Sequence, residues 1–185
     1  NVYDPDVDMH KLSDIISKDV SLSQKLLKFV AETSGPDVKI SSIHDAVLRF
    51  GLNRLKSWAS MLVLSGVDDK PLELFLTALT RAKFCELMAE KTKKPQVERY
   101  FTVGLFSCLD AVMDASMESL LQKLGLELEI ETALLKGEGD LGLYLNLVKG
   151  LERGQTDMLL PKGVSATEAS ESYLQAMKFS GTVGF

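Results

Sequence analysis

The chain has 185 residues, of which 45% are apolar, so it is long enough and apolar enough to form one substantial hydrophobic core. Its formal net charge of −5 argues against a broad nucleic-acid-binding surface, because such surfaces need clustered lysine and arginine. No apolar run reaches the length of a membrane span, about 18 residues, and no charged-then-apolar leader opens the chain, so we expect a cytoplasmic protein.

Helical spacing of the apolar residues predicts an all-α fold, and no run of alternating β-branched residues indicates a strand. The first predicted helices are about Met9–Ser17, one that follows the Ser21-x-x-Gln24 capping box, one capped by Ser42, and one from about Asn53 to Gly66. The pair in residues 42–63 is similar to a helix-turn-helix and carries Arg49, Arg54 and Lys56, so DNA binding is one candidate function. Trp58 lies on an apolar stripe, where it is either a core residue or an interface anchor.

Helices also account for the rest of the sequence. A long helix begins near Asp69 and Pro71 and ends at about Lys91, and a nearly all-apolar helix from Pro95 to Met113 belongs at the centre of the bundle. Shorter helices are predicted at about Ser116–Leu124, Leu128–Lys136 and Gly139–Leu151; a last helix starts at a Ser165-x-x-Glu168 capping box and offers Tyr173, Leu174 and Met177 for docking. Residues 180–185 are predicted to be a flexible tail.

These elements predict one domain over residues 1–185, a compact bundle of about nine to ten helices. Its core is expected in about residues 9–153, and a C-terminal loop and docking helix in residues 154–179. Because the chain starts at Asn1 without a methionine, we expect it to be excised from a longer protein with an upstream domain.

Arg81 is the first candidate polar residue, since it lies within an otherwise apolar helix and a guanidinium there needs partners to offset its desolvation. Glu86 is too far along the same helix to pair with it directly. We therefore predict an ion pair with another helix, and a ligand or partner contact is the alternative. Asp110 and Asp114 share a predicted helix face at a spacing that suits a metal, but a solvated helix end is favoured because imidazole partners are lacking.

Imidazole ligands are scarce, since His10 and His44 are the two histidines of the chain. His44-Asp45 lies in the first turn of a predicted helix, where Asp45 meets the helix dipole and His44 faces solvent. Cys85 and Cys108 lie in apolar, helix-like stretches and are predicted to be buried thiols in a reducing compartment. We predict no metal site, no cofactor and no disulfide.

Several stretches together resemble the HDOD domain, a non-catalytic relative of the HD hydrolases, and most closely the C-terminal half of YuxH-like EAL-HDOD bacterial signalling proteins. The residues that carry the resemblance are 16–23, 25–27, 40–43, 46–47, 50–52, 55–59, 79–86 and 103–110. Within the last stretch, Gly104 to Asp110 resembles the metal-binding turn of an HD phosphohydrolase, with Ser107 and Cys108 at the positions of the His-Asp pair.

The resemblance implies an HD-like helical output domain with no reaction of its own, which docks on a fused EAL domain or on another protein and is linked to cyclic di-GMP signalling. Serine and cysteine at the central ligand positions argue against metal-dependent hydrolysis. One alternative is a degenerate HD-type metal phosphohydrolase or nucleotide-binding domain that uses Asp110 and Asp114. The other is the DNA-binding regulator with its helices in residues 42–63. Trp58 and Arg81, with the two aspartates, are candidate interaction or structural residues.

Overall fold

The computed structural model describes residues 72–124 and 126–183, which belong to one compact unit, Ser60–Gly184. These residues form the helices α1 (Leu72–Lys91), α2 (Val97–Phe106), α3 (Leu109–Met113), α4 (Met117–Leu124), α5 (Leu128–Lys136), α6 (Gly139–Glu152) and α7 (Ala166–Val183). The described ranges contain no strand, which confirms the all-α prediction for this part of the chain. None of these helices is both long and apolar enough to cross a bilayer.

The core forms where α1, α2 and α6 pack together, with α5 and α7 at its edges. In α2 every side chain from Tyr100 to Phe106 is buried, as the nearly all-apolar sequence predicted for a central helix. Its Tyr100 ring meets Tyr144 of α6 edge-on, with 4.9 Å between the ring centroids. The Tyr144 hydroxyl is hydrogen-bonded to the Thr92 hydroxyl at 2.6 Å, so the end of α1 is tied to α6 as well.

Gly104 sets the distance between α1 and α2. A Cβ atom built at this position would lie 2.5 Å from the backbone nitrogen and Cα of Ala82, which is closer than real Cβ atoms approach any neighbour. The two helix backbones can therefore touch only because residue 104 has no side chain. This contact brings the C-terminal end of α2 next to the middle of α1.

The predicted single helix from Pro95 to Met113 is interrupted in the structure, so that boundary was wrong. The Ser107 hydroxyl donates a hydrogen bond to the Gly104 carbonyl at 2.7 Å, and Cys108 leaves helical geometry at φ −109° and ψ 8°. Serine side chains compete in this way for backbone groups of their own helix. The chain turns at Ser107-Cys108 and resumes as α3.

The C-terminal helix differs from the sequence prediction in two respects. It continues through residues 180–183 instead of ending in a flexible tail, and Ser180 is buried with its hydroxyl 2.7 Å from that of Thr80 in α1. The predicted docking residues Leu174 and Met177 are 57% and 47% exposed. The buried face consists of small residues, Ala169, Ser172, Ala176 and Ser180, which let α7 approach α1 closely.

Other boundaries follow the local signals in the sequence. The α5 helix covers Leu128–Lys136 as predicted and ends at Gly137, whose φ of 68° suits glycine. At the start of α7 the predicted capping box is formed: Glu168 accepts hydrogen bonds from the Ser165 backbone N–H and hydroxyl at 2.9 Å, while the Glu168 N–H donates to the Ser165 hydroxyl oxygen at 3.2 Å.

Candidate functional site

The guanidinium of Arg81 lies at the centre of a half-buried polar cluster between α1, α2 and α6. Its Nε and Nη2 atoms donate to the two carboxylate oxygens of Glu152, each at 2.8 Å. This bidentate geometry is the strongest that arginine makes with a carboxylate. The partner is thus a carboxylate on a different helix, which is the kind of partner that the sequence predicted for Arg81.

The remaining guanidinium nitrogen faces the Ser107-Cys108 turn. Arg81 Nη1 lies 3.1 Å from the Ser107 hydroxyl oxygen and 3.4 Å from the Cys108 sulfur. The close packing at Gly104 is what places this turn against the middle of α1. The two positions that resemble the His-Asp ligand pair are therefore in contact with a fixed positive charge.

Burial and neighbouring charges together shift the pKa values of Arg81 and of two nearby thiols. Burial disfavours the charge on Arg81, but the hydrogen bond and the charge of Glu152 outweigh that effect, so the guanidinium pKa lies above its ordinary value. Burial raises the pKa of the Cys108 thiol, although Arg81 and the Ser107 hydroxyl act in the opposite direction. Burial also raises the pKa of Cys85 to about 12. Both thiols are free, buried and neutral near pH 7, as the sequence predicted for structural cysteines.

A second cation, Lys149, lies one turn before Glu152 on α6. Burial, followed by the charge of Arg81, lowers the pKa of the Lys149 ammonium. Lys149 and Glu152 are the two residues of this cluster that the sequence reasoning missed. A signal for them was present, since a lysine and a glutamate three residues apart in a predicted helix share a face.

The aspartates proposed as alternative metal ligands lie at the two ends of a short helix. Asp110 is exposed in the first turn of α3, and Asp114 is exposed just after its end, with a left-handed φ of 51°. They do not share a continuous helix face, because α3 ends at Met113. Among the described residues, no group of three or more His, Cys, Asp and Glu side chains is arranged to hold a metal ion.

Several candidates lie outside the described residues. They are His10, His44, Trp58 and the proposed DNA-binding pair in residues 42–63, and all four stay predictions. The single-domain boundary over residues 1–185 and the total number of helices also stay predictions.

Two cavities open on the described part of the surface. One, of about 490 Å³, lies between α1 and α7 and is lined by Thr80, Tyr173, Met177 and the Arg81 partner Glu152, among others. The other, of about 540 Å³, lies at the opposite end of α6. Both cations that line it are already paired: Lys94 with Asp140 at 2.5 Å, and Arg99 with Glu127 and Glu129 at 2.7 and 2.6 Å.

Comparison with known proteins adds a family and two relatives. A model of the HDOD domain matches residues 1–136. The chain is 35% identical over 186 residues to the "Cyclic di-GMP phosphodiesterase CdgJ" of Vibrio cholerae, and 34% identical over 176 residues to the "Uncharacterized protein YuxH" of Bacillus subtilis. These alignments cover 97% and 91% of the chain but 43% of each relative, so the chain spans less than half of their length. No solved structure matches the chain.

Proposed function

The chain belongs to the HDOD domain family, and we propose that it is a non-catalytic regulatory domain of bacterial cyclic di-GMP signalling that acts by docking on a protein partner or on a fused EAL domain. The observation that carries this proposal is the contact of the Arg81 guanidinium with the Ser107-Cys108 turn. In the HD-type turn that these residues resemble, the two positions carry metal ligands, whereas here both side chains contact a guanidinium.

The chemistry of the turn supports the absence of a hydrolytic reaction. A metal-dependent phosphodiesterase needs imidazole and carboxylate ligands that generate a hydroxide and hold the phosphate. The turn offers a hydroxyl group, a neutral thiol and a guanidinium instead, and the guanidinium repels a cation at short range. The single carboxylate in contact, that of Glu152, is already held by two hydrogen bonds to Arg81.

The link to cyclic di-GMP comes from the relatives. CdgJ is named as a cyclic di-GMP phosphodiesterase, and the chain matches 43% of it. We infer that hydrolysis belongs to the part of such a protein that this chain does not match, and that the HDOD domain adjusts it through contact. Regulatory contacts of this kind shift the population of active and inactive arrangements of a partner.

Two measurements test the proposal. The purified chain with Mg²⁺ or Mn²⁺ is expected to leave cyclic di-GMP and a simple phosphodiester intact, and metal-dependent turnover by the chain alone would support the phosphohydrolase alternative instead. The chain is then added to CdgJ from which the matching region has been removed. A saturable change in the rate of cyclic di-GMP hydrolysis is expected, whereas an unchanged rate at every concentration of the chain argues against a regulatory role.

A further inference from the structure

The polar cluster contains two cations and one carboxylate. Lys149 and Glu152 have the spacing at which a lysine and a glutamate pair along a helix, but both Glu152 oxygens are taken by Arg81. Within the described part of the chain, no carboxylate lies within ion-pair distance of the Lys149 ammonium. Arg153, the residue directly after the end of α6, is a further cation and adds to the local positive charge.

The unpaired ammonium is only partly solvated. Lys149 has intermediate exposure, and burial together with the charge of Arg81 lowers its pKa. The charged groups that act on it are Arg81, Glu152 and Arg153, with the thiol of Cys108 beside them. Such a lysine carries a desolvation cost that no carboxylate in residues 72–124 or 126–183 offsets by pairing with it. An anion bound from solution would offset that cost.

Hydrogen-bond donors remain available for such an anion. A guanidinium has five N–H groups, and the four contacts of Arg81 to Glu152, Ser107 and Cys108 leave one on Nη2. The Lys149 ammonium adds three more. Oxyanions with several acceptor oxygens, phosphate above all, match a lysine next to an arginine better than a single-atom halide does.

We propose that Lys149 and Arg81, beside the Ser107-Cys108 turn, form a binding site for a small phosphate-type oxyanion, either free phosphate or the phosphate group of an ester. This inference does not depend on the proposed regulatory role, because it concerns binding by the chain itself. Lys149 would be the principal charged donor to the anion, and Arg81 is kept in place by Glu152.

The test is a titration of the full chain with inorganic phosphate at constant ionic strength, followed by the backbone N–H signals of Ser107 and Cys108 in a ¹⁵N–¹H spectrum. Saturable shifts of both signals are expected. Lys149→Met should weaken binding about tenfold or more, while Lys149→Arg should keep most of it. The matched control is Lys136→Met. Lys136 is an exposed residue at the end of α5, close to the start of α6 and therefore far from Glu152. This variant should bind phosphate like the unchanged protein.

A second arm replaces phosphate with AMP. Tighter binding of AMP assigns the site to a phosphate ester, and tighter binding of phosphate assigns it to the free ion. The inference is overturned if neither ligand gives saturable shifts, or if Lys149→Met, shown by its spectrum to be folded, binds as tightly as the unchanged protein. Failure of phosphate binding would leave both tests of the proposed function unaffected, namely hydrolysis by the chain alone and addition of the chain to shortened CdgJ.

Discussion

Both carboxylate oxygens of Glu152 lie 2.8 Å from nitrogens of the Arg81 guanidinium, and this pair joins α1 to the last turn of α6. Arg81 falls inside the region that matches the HDOD family model, residues 1–136, and Glu152 falls outside it. The charge that Arg81 brings to the Ser107-Cys108 turn is therefore balanced by a helix beyond the family match.

Removal of that carboxylate should destabilise the protein. Glu152→Gln leaves Arg81 and Lys149 together without a counter-charge, and we expect a loss of about 2 kcal/mol in the free energy of unfolding, measured with urea. The control is Asp140→Asn, which breaks the more exposed ion pair with Lys94 and should cost less than about 1 kcal/mol. Equal losses in the two variants would mean that the Arg81 pair has no special role in stability.

The contact between α1 and α2 makes Gly104 irreplaceable. Gly104→Ala would place a methyl group 2.5 Å from the backbone of Ala82, so the helices must separate, and we expect a loss of about 3 kcal/mol or more. Gly181 in α7 is the matched control, because a Cβ atom there meets nothing within 4 Å. Gly181→Ala should raise stability by up to about 1 kcal/mol through helix propensity alone. Thermal and urea unfolding of both variants would show whether the signs differ.

Two buried serines of α7 should respond in opposite ways to the same substitution. The Ser172 hydroxyl is fully buried and has no hydrogen-bond partner among the residues that the structure describes, so Ser172→Ala should stabilise the protein by about 1 kcal/mol. The Ser180 hydroxyl is hydrogen-bonded to Thr80 at 2.7 Å, and Ser180→Ala should cost about 1 kcal/mol. Urea midpoints that fall in both variants would indicate that Ser172 has a partner after all.

Alkaline pH should weaken the fold through Cys85. Burial raises its pKa from an ordinary value of 9.0 to about 12, so the folded state keeps the thiol protonated when the unfolded chain has already lost the proton. The stabilisation is complete below pH 9 and is lost progressively between pH 9 and about 12. Unfolding free energies measured at about pH 8 and about pH 10 should therefore fall more steeply in the unchanged protein than in Cys85→Ala. Parallel slopes in the two proteins would rule out Cys85 as the cause.

Local sequence signals predicted much of this fold. The end of α5 follows from Gly137, the start of α7 from the Ser165 and Glu168 capping box, and the central place of α2 from its apolar composition. Each of these features is decided by residues within about one helical turn. The break at Ser107-Cys108 was not predicted, because apolar periodicity continues across it and does not reveal the hydrogen bond from the Ser107 hydroxyl to the Gly104 carbonyl.

The candidate site was predicted only in part for a similar reason. The apolar surroundings of Arg81 indicated that a carboxylate was needed, but Glu152 is 71 positions away along the chain, and no periodic pattern connects them. The buried face of α7 was missed because its small residues, such as Ala169 and Ala176, contribute little to an apolar stripe. Two helices approach closely where their side chains are small, and a pattern of apolar residues does not reveal such positions.

The position of Glu152 also decides how this module can be moved between proteins. A fragment cut after residue 136, where the family match stops, would lack α6 and α7 and would uncover the side of α1 that carries Phe84 and Met88. The same cut would strip Arg81 of its counter-ion. Gene fusions and expression trials that retain the chain through α7 preserve the Arg81–Glu152 pair, and shorter ones leave an exposed apolar face beside an unpaired arginine.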